Sequence, residues 1–532
     1  MDLSIAEAHE AIAATRPDDE CLVFRDRRLT WSDVTERTRR FANHLIAHGL
    51  GCHRERDELA DHESGQDHLG IYLHNGNEYL ESMLGAFKAR VAPFNVNYRY
   101  GPAELRYLLV DARATAIVVH SCFAPTLVAV LEDLPDLRVI VQVPDSSGTP
   151  LLPGAVWYED ALGDASPAKP AVAWSLDDLY LLYTGGTTGM PKGVMWRGCD
   201  AMVACFGAGT AHDPAATTGG VRALPSPPLM HGSGHWLAMR TWNMGGTVVL
   251  QSIPERLDPA DVWKLVGREQ VNFLLIVGDP FARPLVDELR RGQYDVDCLT
   301  VVLSGGAPLS TTMKDELASL LPTVLIVDGL GSSEAGGQLA QMSGLHWGAS
   351  SFPPAKGNHV LSADLDRELS PGDLELGWLA RSGRLALGYF GDRTKTAETY
   401  RVVGGTRYAV PGDRARIRAD GSIDVLGRDA ATINSGGEKI FAEEVEAAVK
   451  AHPDVYDCVV AGRPSRRWGH EVVAIVRLRA GRTPADDELR ATAERSIARF
   501  KLPKAFVYVD DIVRSPTGKA DYRWARRVAA SA

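Results

Sequence analysis

The stretch "LYTGGTTGMPKGVMW", residues 182–196, places small, hydroxylated and flexible residues between two apolar segments. Four Gly, three Thr, one Pro and one Lys fall within residues 183–193. The preceding residues, 178–184, predict a strand, and residues 193–206 predict a helix. A strand, a Gly-rich loop and a helix form a layout that cradles phosphates, because backbone N–H groups approach an anion closely where no Cβ intervenes.

The spacing in this loop is not that of a Walker A motif, which needs Gly, four residues and then Gly-Lys-Ser/Thr. Met190 and Pro191 separate Gly189 from Lys192, and Gly193 follows the lysine. This spacing disfavours a P-loop kinase or GTPase. The Thr hydroxyls and the Lys192 charge favour an anion-binding loop over a purely structural Gly-rich turn, since both groups bind phosphate oxygens.

The composition is that of an ordinary globular protein, with 45% hydrophobic and 23% charged residues among 532. At about 150 residues per domain, this length predicts roughly three or four structural units. The net charge of −11 provides no field that attracts nucleic acid, so we expect no nucleic-acid partner. The seven Cys form no CxxC pair, and residues 1–20 lack the pattern of a signal peptide. With no apolar run of about 18 residues, we expect a cytoplasmic protein without a membrane span.

Short apolar runs alternate with helical patterns over most of the chain. Residues 70–75, 115–120 and 137–143 predict buried strands, and residues 103–112 predict an amphipathic helix. This alternation favours an α/β fold with mixed, largely parallel sheets flanked by helices. A polar insertion at 48–70 contains His48, His53, His62 and His68; its spacing fits no helix face, which favours a solvated loop over a metal site.

The sequence changes character near residue 420. Residues 415–429 predict a β-hairpin that turns at Asp420-Gly421. The segments that follow predict helices in "FAEEVEAAVKAH" and "DDELRATAERSIARF", strands in "VYDCVVAG", "EVVAIVRLR" and "AFVYVDD", and a loop in "RSPTGKADY". We therefore predict a large N-terminal domain over 1–426, a hinge at 427–431 and a small, mobile α+β C-terminal domain over 432–532.

The motif "YTGGTTGMPKG" closely resembles the signature loop of the adenylate-forming superfamily, which includes acyl-CoA synthetases, firefly luciferase and peptide-synthetase adenylation domains. Further motifs follow in the family's order over nearly the whole chain. The resemblance implies that this loop binds the phosphates of ATP, that Thr188 assists catalysis and that Thr184 lies at the metal. The residues implied in ATP binding are Thr184, Gly185, Gly186, Thr187, Thr188, Gly189 and Lys192.

Three further motifs resemble elements that surround ATP and the acyl group in this family. "PPLMHGSGHW" (227–236) implies that His231 gates the acyl pocket. "DGLGSSEAGG" (328–337) implies that Glu334 holds Mg²⁺ and that Ser333 contacts the α-phosphate; Leu330 stands where the family usually has Tyr. "LSGGAPLS" (303–310) implies a loop along adenine. The nucleotide-binding residues carried over from the last two motifs are Gly305, Gly306, Ala307, Asp328, Gly329, Leu330, Gly331, Ser332 and Ser333.

The C-terminal motifs complete the resemblance. "PGDRARI" implies that Asp413 binds both ribose hydroxyls, and Arg428 is implied as a second ribose contact. Gly437 is implied to lie at the thiol channel, and Lys439 to contact coenzyme A. "SPTGKADY" places Lys519 at the family's catalytic lysine.

The resemblance implies a two-step reaction. A carboxylate attacks the α-phosphorus of ATP to give acyl-AMP and pyrophosphate, and the thiol of coenzyme A then displaces AMP. Mg²⁺, Lys519 and the Thr-rich loop neutralise the charge of the first step. Relatives rotate the small domain between the steps, and Ala430 stands at the pivot where Asp or Lys is common.

The residues near the implied acyl pocket, 235–246, 272–284 and 336–344, are mostly small and apolar, with no cation evident for a second carboxylate. They favour a medium- or long-chain fatty acid or a sterol side-chain acid as the substrate. Two alternatives stay open: a luciferase-like or amino-acid-adenylating enzyme that does not use coenzyme A, with Asp279 binding an ammonium group in the latter, and a non-catalytic nucleotide-binding protein. The sequence is compatible with a homodimer and leaves the oligomeric state open.

Overall fold

The computed structural model describes residues 3–184, 190–208, 213, 217–342, 351–435, 438–465, 468–515 and 518–531. The described strands form four sheets. Three of these sheets are built from residues before Thr432, and the fourth is built from Thr432 onward.

One eight-stranded sheet is parallel through its centre and antiparallel at both edges. Its strands, labelled in chain order, lie in the spatial order β15 (Gly336–Met342), β14 (Leu325–Ser332), β13 (Val301–Gly305), β12 (Phe273–Ile276), β10 (Arg222–Pro225), β11 (Thr247–Leu250), β1 (Glu20–Phe24) and β2 (Arg27–Thr30).

A second eight-stranded sheet is parallel from β8 to β7 and antiparallel at its other edge. Its strands lie in the order β19 (Gly388–Tyr389), β9 (Lys192–Arg197), β8 (Leu179–Thr184), β4 (Ala92–Asn95), β3 (His68–Tyr72), β5 (Ala114–His120), β6 (Val139–Val143) and β7 (Val156–Trp157). Every residue of β3 is buried. Such strands read as continuous apolar runs because helices cover both faces of a parallel sheet.

The remaining two sheets are mostly antiparallel. The third contains β16 (Ser351–Phe352), β23 (Ile423–Arg428), β22 (Asp413–Ile417), β18 (Gly377–Arg381), β21 (Thr406–Ala409) and β20 (Tyr400–Val403), with β17 (Asn358–Leu361) beside β18. The fourth contains β25 (Glu438–Phe441), β24 (Thr432–Ser435), β27 (Gly469–Leu478) and β26 (Val455–Ser465), with β28 (Ala505–Tyr508) beside β27.

Helices cover the sheets, and five of those described begin at an N-cap residue whose side chain accepts a backbone N–H of the first turn. Ser4 and Thr30, for example, each begin a helix through a capping box, in which the side chain accepts from the N3 backbone. The described helices are α1 (Ile5–Thr15), α2 (Trp31–Ala47), α3 (Asn77–Lys88), α4 (Pro102–Asp111), α5 (Ala124–Val128), α6 (Tyr158–Gly163), α7 (Gly198–Ala204), α8 (Gly232–Asn243), α9 (Pro259–Arg268), α10 (Gly278–Arg291), α11 (Thr311–Leu320), α12 (Arg393–Thr399), α13 (Ala442–Lys450), α14 (Asp486–Glu494) and α15 (Tyr522–Ser531).

The largest hydrophobic cluster joins both eight-stranded sheets through α1, α2, α3 and α8, with Trp31 and Trp196 fully buried. A second cluster lies under α9, α10 and α11, and separate clusters lie on the two faces of the fourth sheet. The predicted α/β class, with a large domain of mixed and parallel sheets and a smaller C-terminal sheet domain, is confirmed. The strands predicted at 70–75, 115–120 and 137–143 and the hairpin predicted at 415–429 are also present.

The helix predicted at 193–206 is wrong in its first half. Lys192–Arg197 is the strand β9, which pairs antiparallel with β8, and the helix α7 begins only at Gly198. Residues 193–196 are buried on both faces of the sheet, so their apolar run carries no periodicity that separates a strand from a helix. The Gly-rich stretch therefore joins two strands of a hairpin, not a strand and a helix.

The His residues of the 48–70 insertion have separate partners. His53 Nε2 lies 2.6 Å from Asp67 Oδ2, and His48 Nδ1 lies 2.8 Å from the carbonyl oxygen of His44. His68 belongs to β3, where burial lowers its pKa to about 4. The insertion is therefore a loop only in part, because its C-terminal end enters the sheet. Within the described ranges, no helix is long and apolar enough to cross a membrane.

All seven Cys lie in the described ranges, and none is in a disulfide. Desolvation is the main cause that raises the pKa of every one of these thiols. Cys122, the exposed one, has its pKa raised to about 12 by desolvation and by the neighbouring Asp145 carboxylate.

Candidate active site

The stem of the Gly-rich loop stands beside Glu334. Thr184, the last residue of β8, is the strand partner of Lys192 at the start of β9. The Lys192 Nζ lies 5.4 Å from the centroid of the Tyr389 ring and 3.9 Å from Asp392 Oδ2. Tyr389 in turn contacts Glu334. The predicted phosphate-binding residues Gly185, Gly186, Thr187, Thr188 and Gly189 lie outside the described residues.

Glu334 follows β14 and is held by aromatic side chains from distant parts of the chain. The Tyr389 hydroxyl donates to Glu334 Oε1 over 2.8 Å, and the Tyr400 hydroxyl donates to the Glu334 carbonyl over 3.2 Å. Trp196 Nε1 donates to the carbonyl of Ser333 over 2.9 Å. Burial, then Glu334, raises the pKa of Tyr389 far above its usual range, so the phenol stays protonated and keeps donating.

Asp413 and Arg428 form a cross-strand pair at the end of the hairpin β22–β23. They are directly opposite in the register, and Arg428 Nε lies 3.3 Å from Asp413 Oδ1. Asp413 is buried, and its charge is the main cause that raises the pKa of Arg428. Glu334 also raises the pKa of Arg428, which places the guanidinium within electrostatic reach of that carboxylate.

Lys519 lies in the loop before α15, and together with Glu334, Asp413 and Arg428 it borders a region that we call the cleft. The residue is exposed, and desolvation of its amine is the main cause that lowers the pKa of Lys519. Arg428 lowers the pKa further, whereas Glu334 and Asp413 raise it. The lysine of the fourth-sheet region therefore lies within electrostatic reach of Glu334, beside the first sheet, and of Asp413 and Arg428 in the third sheet.

His231 caps the N-terminus of α8 beside this cleft. Its Nε2 is buried and has no hydrogen-bond partner within the described part of the chain. Burial, then the Lys519 charge, lowers the pKa of His231 to about 3, so the ring is neutral at pH 7. His235, one turn later, has a partner for each ring nitrogen. Its Nδ1 lies 2.7 Å from the carbonyl oxygen of Leu229, and its Nε2 contacts the Tyr180 hydroxyl.

The predicted adenine loop follows β13, beside the neighbouring strand β14. Gly305 is the register partner of Gly329, and Gly306 has a φ of +93°, a conformation that favours glycine. Asp328 Oδ2 lies 2.7 Å from Nζ of the fully buried Lys314. Burial raises the pKa of Asp328, and the Lys314 charge opposes this shift. Ala307 follows this turn and packs against the cluster under α9–α11.

The other predicted residues of this region line β14 and the small domain. Gly331 and Ser332 pair with β15, and the Ser332 hydroxyl accepts from the N–H of Ala335 over 3.1 Å. Leu330 packs at the edge of a cluster around Leu339. Lys439 lies on β25, with Nζ 3.7 Å from Asp429 Oδ1. Gly437 lies outside the described residues.

Sequence reasoning missed the residues that hold these groups. Tyr389 and Glu334 are 55 residues apart, and no local pattern joins them. Asp279, considered above as an ammonium-binding residue, is instead paired with Lys450 Nζ over 2.9 Å. That interpretation of Asp279 is wrong, because the carboxylate is already neutralised by a lysine of the small domain.

Comparisons with known proteins agree with this arrangement. Residues 9–361 match the family described as "AMP-binding enzyme", and residues 444–519 match "AMP-binding enzyme C-terminal domain". The chain is 51% identical to the medium-chain acyl-CoA ligase Mig of Mycobacterium avium, over 98% of this chain and 97% of that protein. It is 39% identical to the medium/long-chain-fatty-acid–CoA/3-oxocholest-4-en-26-oate–CoA ligase of Mycolicibacterium smegmatis, over 99% and 97% of the two chains.

The fold is also that of solved acid–CoA ligases. The crystal structure of the anthranilate CoA ligase AuaEII in complex with anthranoyl-AMP superposes with a TM-score of 0.84 at 22% identity, over 99% of this chain and 97% of that chain. The sequence matches span nearly the whole of both proteins and include the region of Lys519. The chain therefore belongs to the AMP-binding enzyme family, as an ATP-dependent, AMP-forming acyl-CoA ligase.

Proposed function

We propose that the acid activated by this ligase is a medium- or long-chain fatty acid or the side-chain acid of a sterol. The printed names of the two ligases above support these acid classes. The small and apolar residues at 235–246 and 272–284 support them as well, since an apolar chain gains free energy by leaving water.

The observation that carries the assignment of roles is the convergence of Lys519 with Glu334 and with the Asp413–Arg428 pair. A carboxylate oxygen of the acid forms a bond to the α-phosphorus of ATP, and the bond to pyrophosphate breaks. Lys519 would stabilise the charge that develops there, because a fixed cation in a partly desolvated cleft interacts more strongly than in water. Asp413 and Arg428 would bind the ribose, and the 305–307 backbone would lie along adenine.

Glu334 is suited to hold Mg²⁺, with Thr184 as a second oxygen donor. The described residues contain no group of three or more His, Cys, Asp or Glu that could hold a metal. Mg²⁺ nevertheless commonly uses one or two protein carboxylates together with substrate phosphates, and the Tyr389 hydrogen bond fixes the direction of the Glu334 carboxylate. When bound, the ion would neutralise phosphate charge.

Coenzyme A is the nucleophile of the second step. Its thiol sulfur forms a bond to the acyl carbon, the bond to AMP breaks, and the thiol proton is released. We propose that residues 427–431 are the hinge about which the 432–532 domain turns between the steps, and that Lys439 contacts coenzyme A. Arg428 ends β23, and Asp429–Ala431 forms one short turn before β24, which suits a hinge.

The test is AMP release with purified enzyme over a panel of carboxylic acids, with and without coenzyme A. We expect AMP release that requires both the acid and the thiol. Pyrophosphate release without any thiol-dependent AMP release would instead support an enzyme that stops at the adenylate. Asp279 does not support amino-acid adenylation, because its carboxylate is paired with Lys450 and not open to an ammonium group.

A further inference from the structure

Asp279 joins three parts of the molecule through one buried carboxylate. It lies in the first turn of α10, where its side chain is 2% exposed. Its Oδ1 accepts from the N–H of Ser310 over 2.7 Å, and its own N–H donates to the carbonyl of Pro308 over 3.1 Å. Both bonds bind α10 to the segment that directly follows the proposed adenine loop.

The other oxygen of Asp279 is bound by the small domain. Lys450, the last residue of α13, places Nζ 2.9 Å from Asp279 Oδ2, and its side chain is 7% exposed. The Asp279 charge raises the pKa of Lys450 against the effect of burial, and the Lys450 charge helps to lower the pKa of Asp279. The pair is therefore ionised and nearly dry. Separation of the two domains would break this ion pair and leave Asp279 with the N–H of Ser310.

The same contact region reaches the residue next to the catalytic lysine. A Cβ placed on Gly518 would lie 3.1 Å from Cβ of Pro280, so Gly518 packs against the residue that follows Asp279. Arg514 Nη1 donates to the carbonyl of Gly518 over 2.9 Å, and its Nε and Nη2 bind Asp457 over 2.9 and 2.8 Å. One turn further along α10, the Arg283 guanidinium lies 5.2 Å from the ring centroid of Tyr456.

We infer that Asp279 is a positioning residue for the first step: its ion pair with Lys450 docks the small domain onto α10 and thereby holds Lys519 in the cleft. Because Asp279 also binds the 308–310 segment, the docked position of Lys519 is tied to the backbone beside the adenine loop. This inference rests on the role proposed for Lys519. The Asp279–Lys450 ion pair must break whenever the small domain leaves this position.

The experiment measures the two steps separately. Pyrophosphate release in a single turnover without coenzyme A reports the first step, and acyl-CoA formation from supplied acyl-AMP reports the second. Asp279→Asn keeps an acceptor for Ser310 but leaves the Lys450 charge unpaired, and Lys450→Met leaves Asp279 unpaired. We expect each to slow the first step at least about tenfold, because an unpaired buried charge disfavours docking. The second step should change by less than about twofold.

The double variant Asp279→Asn/Lys450→Met buries no unpaired charge but still lacks the ion pair, so its first step should be slowed by much less than the product of the two single losses and stay slower than in the unaltered enzyme. A purely local packing role would give losses that add. Glu10→Gln is the matched control, since Glu10 in α1 pairs over 2.6 Å with the fully buried Lys88 of α3, outside the fourth sheet and its helices. It should lower the melting temperature and leave the ratio of the two steps unchanged.

The inference is overturned if both single variants leave the first step unchanged, or if they slow both steps equally, as general destabilisation would. Lys519→Ala separates this failure from that of the proposed function. If Lys519→Ala slows the first step while the Asp279 and Lys450 variants do not, the role of Lys519 stands and only the docking role fails. If Lys519→Ala has no effect, the role of Lys519 itself fails.

Discussion

Lys519 is an exposed residue whose pKa is lowered, chiefly by desolvation of its amine. Lys519→Ala should slow adenylate formation by about 10²–10³-fold, the usual loss on removing one preorganised donor from a transition state. Thioester formation from supplied acyl-AMP should change far less, because the proposed rotation of the small domain would withdraw the lysine before that step. Rapid-quench measurement of both steps checks this, and equal losses in both would contradict the assignment.

Glu334 offers a carboxylate whose direction is fixed by Tyr389. Glu334→Gln keeps the size and the hydrogen-bond acceptor but replaces an anionic oxygen with a neutral one, which Mg²⁺ binds less well. The Mg²⁺ concentration for half-maximal pyrophosphate release should rise about tenfold or more. A titration curve that matches that of the unaltered enzyme would remove Glu334 from the metal site.

Glu443, in the first turn of α13, has a raised pKa. Burial, aided by Glu446 and Asp413, raises its pKa from 4.5 to about 7. Between these pH values the folded protein holds a proton that the unfolded chain releases, so the stability contributed by this group falls as the pH rises through the window. Glu443→Gln should therefore flatten the decline of the melting temperature from pH 4.5 to 7, measured by calorimetry. An unchanged slope would rule out this titration.

The hairpin β22–β23 carries the Asp413–Arg428 pair and ends at the proposed hinge. Gly427 has a φ of +124°, and a Cβ there would lie 2.9 Å from Glu443 Oε2. Gly427→Ala should therefore strain this end of the hairpin by about 1–3 kcal/mol. We expect up to about 100-fold slower adenylate formation, since the strain falls where the domains meet. Gly421→Ala, at a φ of +82° in the turn of the same hairpin, is the control, and it should leave the ratio of the two steps unchanged.

Elements with a local signal were predicted, and elements defined by distant contacts were not. The turn of the hairpin β22–β23 follows from Asp420-Gly421, because Gly adopts the positive φ that this turn needs. The strand β9 was mistaken for a helix because it is paired on both sides and buried on both faces. Asp279 and Lys450 are 171 residues apart, and the sequence around neither residue indicates that they pair.

The residues of the candidate site also divide into those with a local sequence motif and those placed by distant contacts. The motifs predicted Glu334 and Lys519 as site residues, and the structure brings the two within electrostatic reach of each other. They did not predict the side chains that hold them, such as Tyr389, Tyr400 and Trp196, which come from separate elements. Supporting residues of this kind are set by packing across the chain, so a sequence pattern of about ten residues contains no information on them.

At the scale of the whole molecule, the acid preference is the property most open to measurement. Each buried CH₂ should add about 0.8 kcal/mol, so kcat/KM should rise about fourfold per carbon and then level off when the pocket is full. A buried second carboxylate without a cation should cost several kcal/mol, so dicarboxylates should be poor substrates. A panel from acetate to palmitate, with a sterol side-chain acid and a dicarboxylate, checks this. A preference for butyrate, shorter acids or dicarboxylates would contradict it.

The raised pKa values of all seven thiols have a practical consequence for observing the proposed movement of the small domain. A thiolate is the reactive form of Cys, and at neutral pH these side chains are overwhelmingly protonated. Maleimide dyes should therefore modify the native enzyme slowly. The disulfide of coenzyme A should likewise form no mixed disulfide with these Cys side chains. A single Cys introduced on the exposed face of α15 would then be labelled selectively, and a fluorescent probe there would report the orientation of the small domain during turnover without removal of any natural Cys.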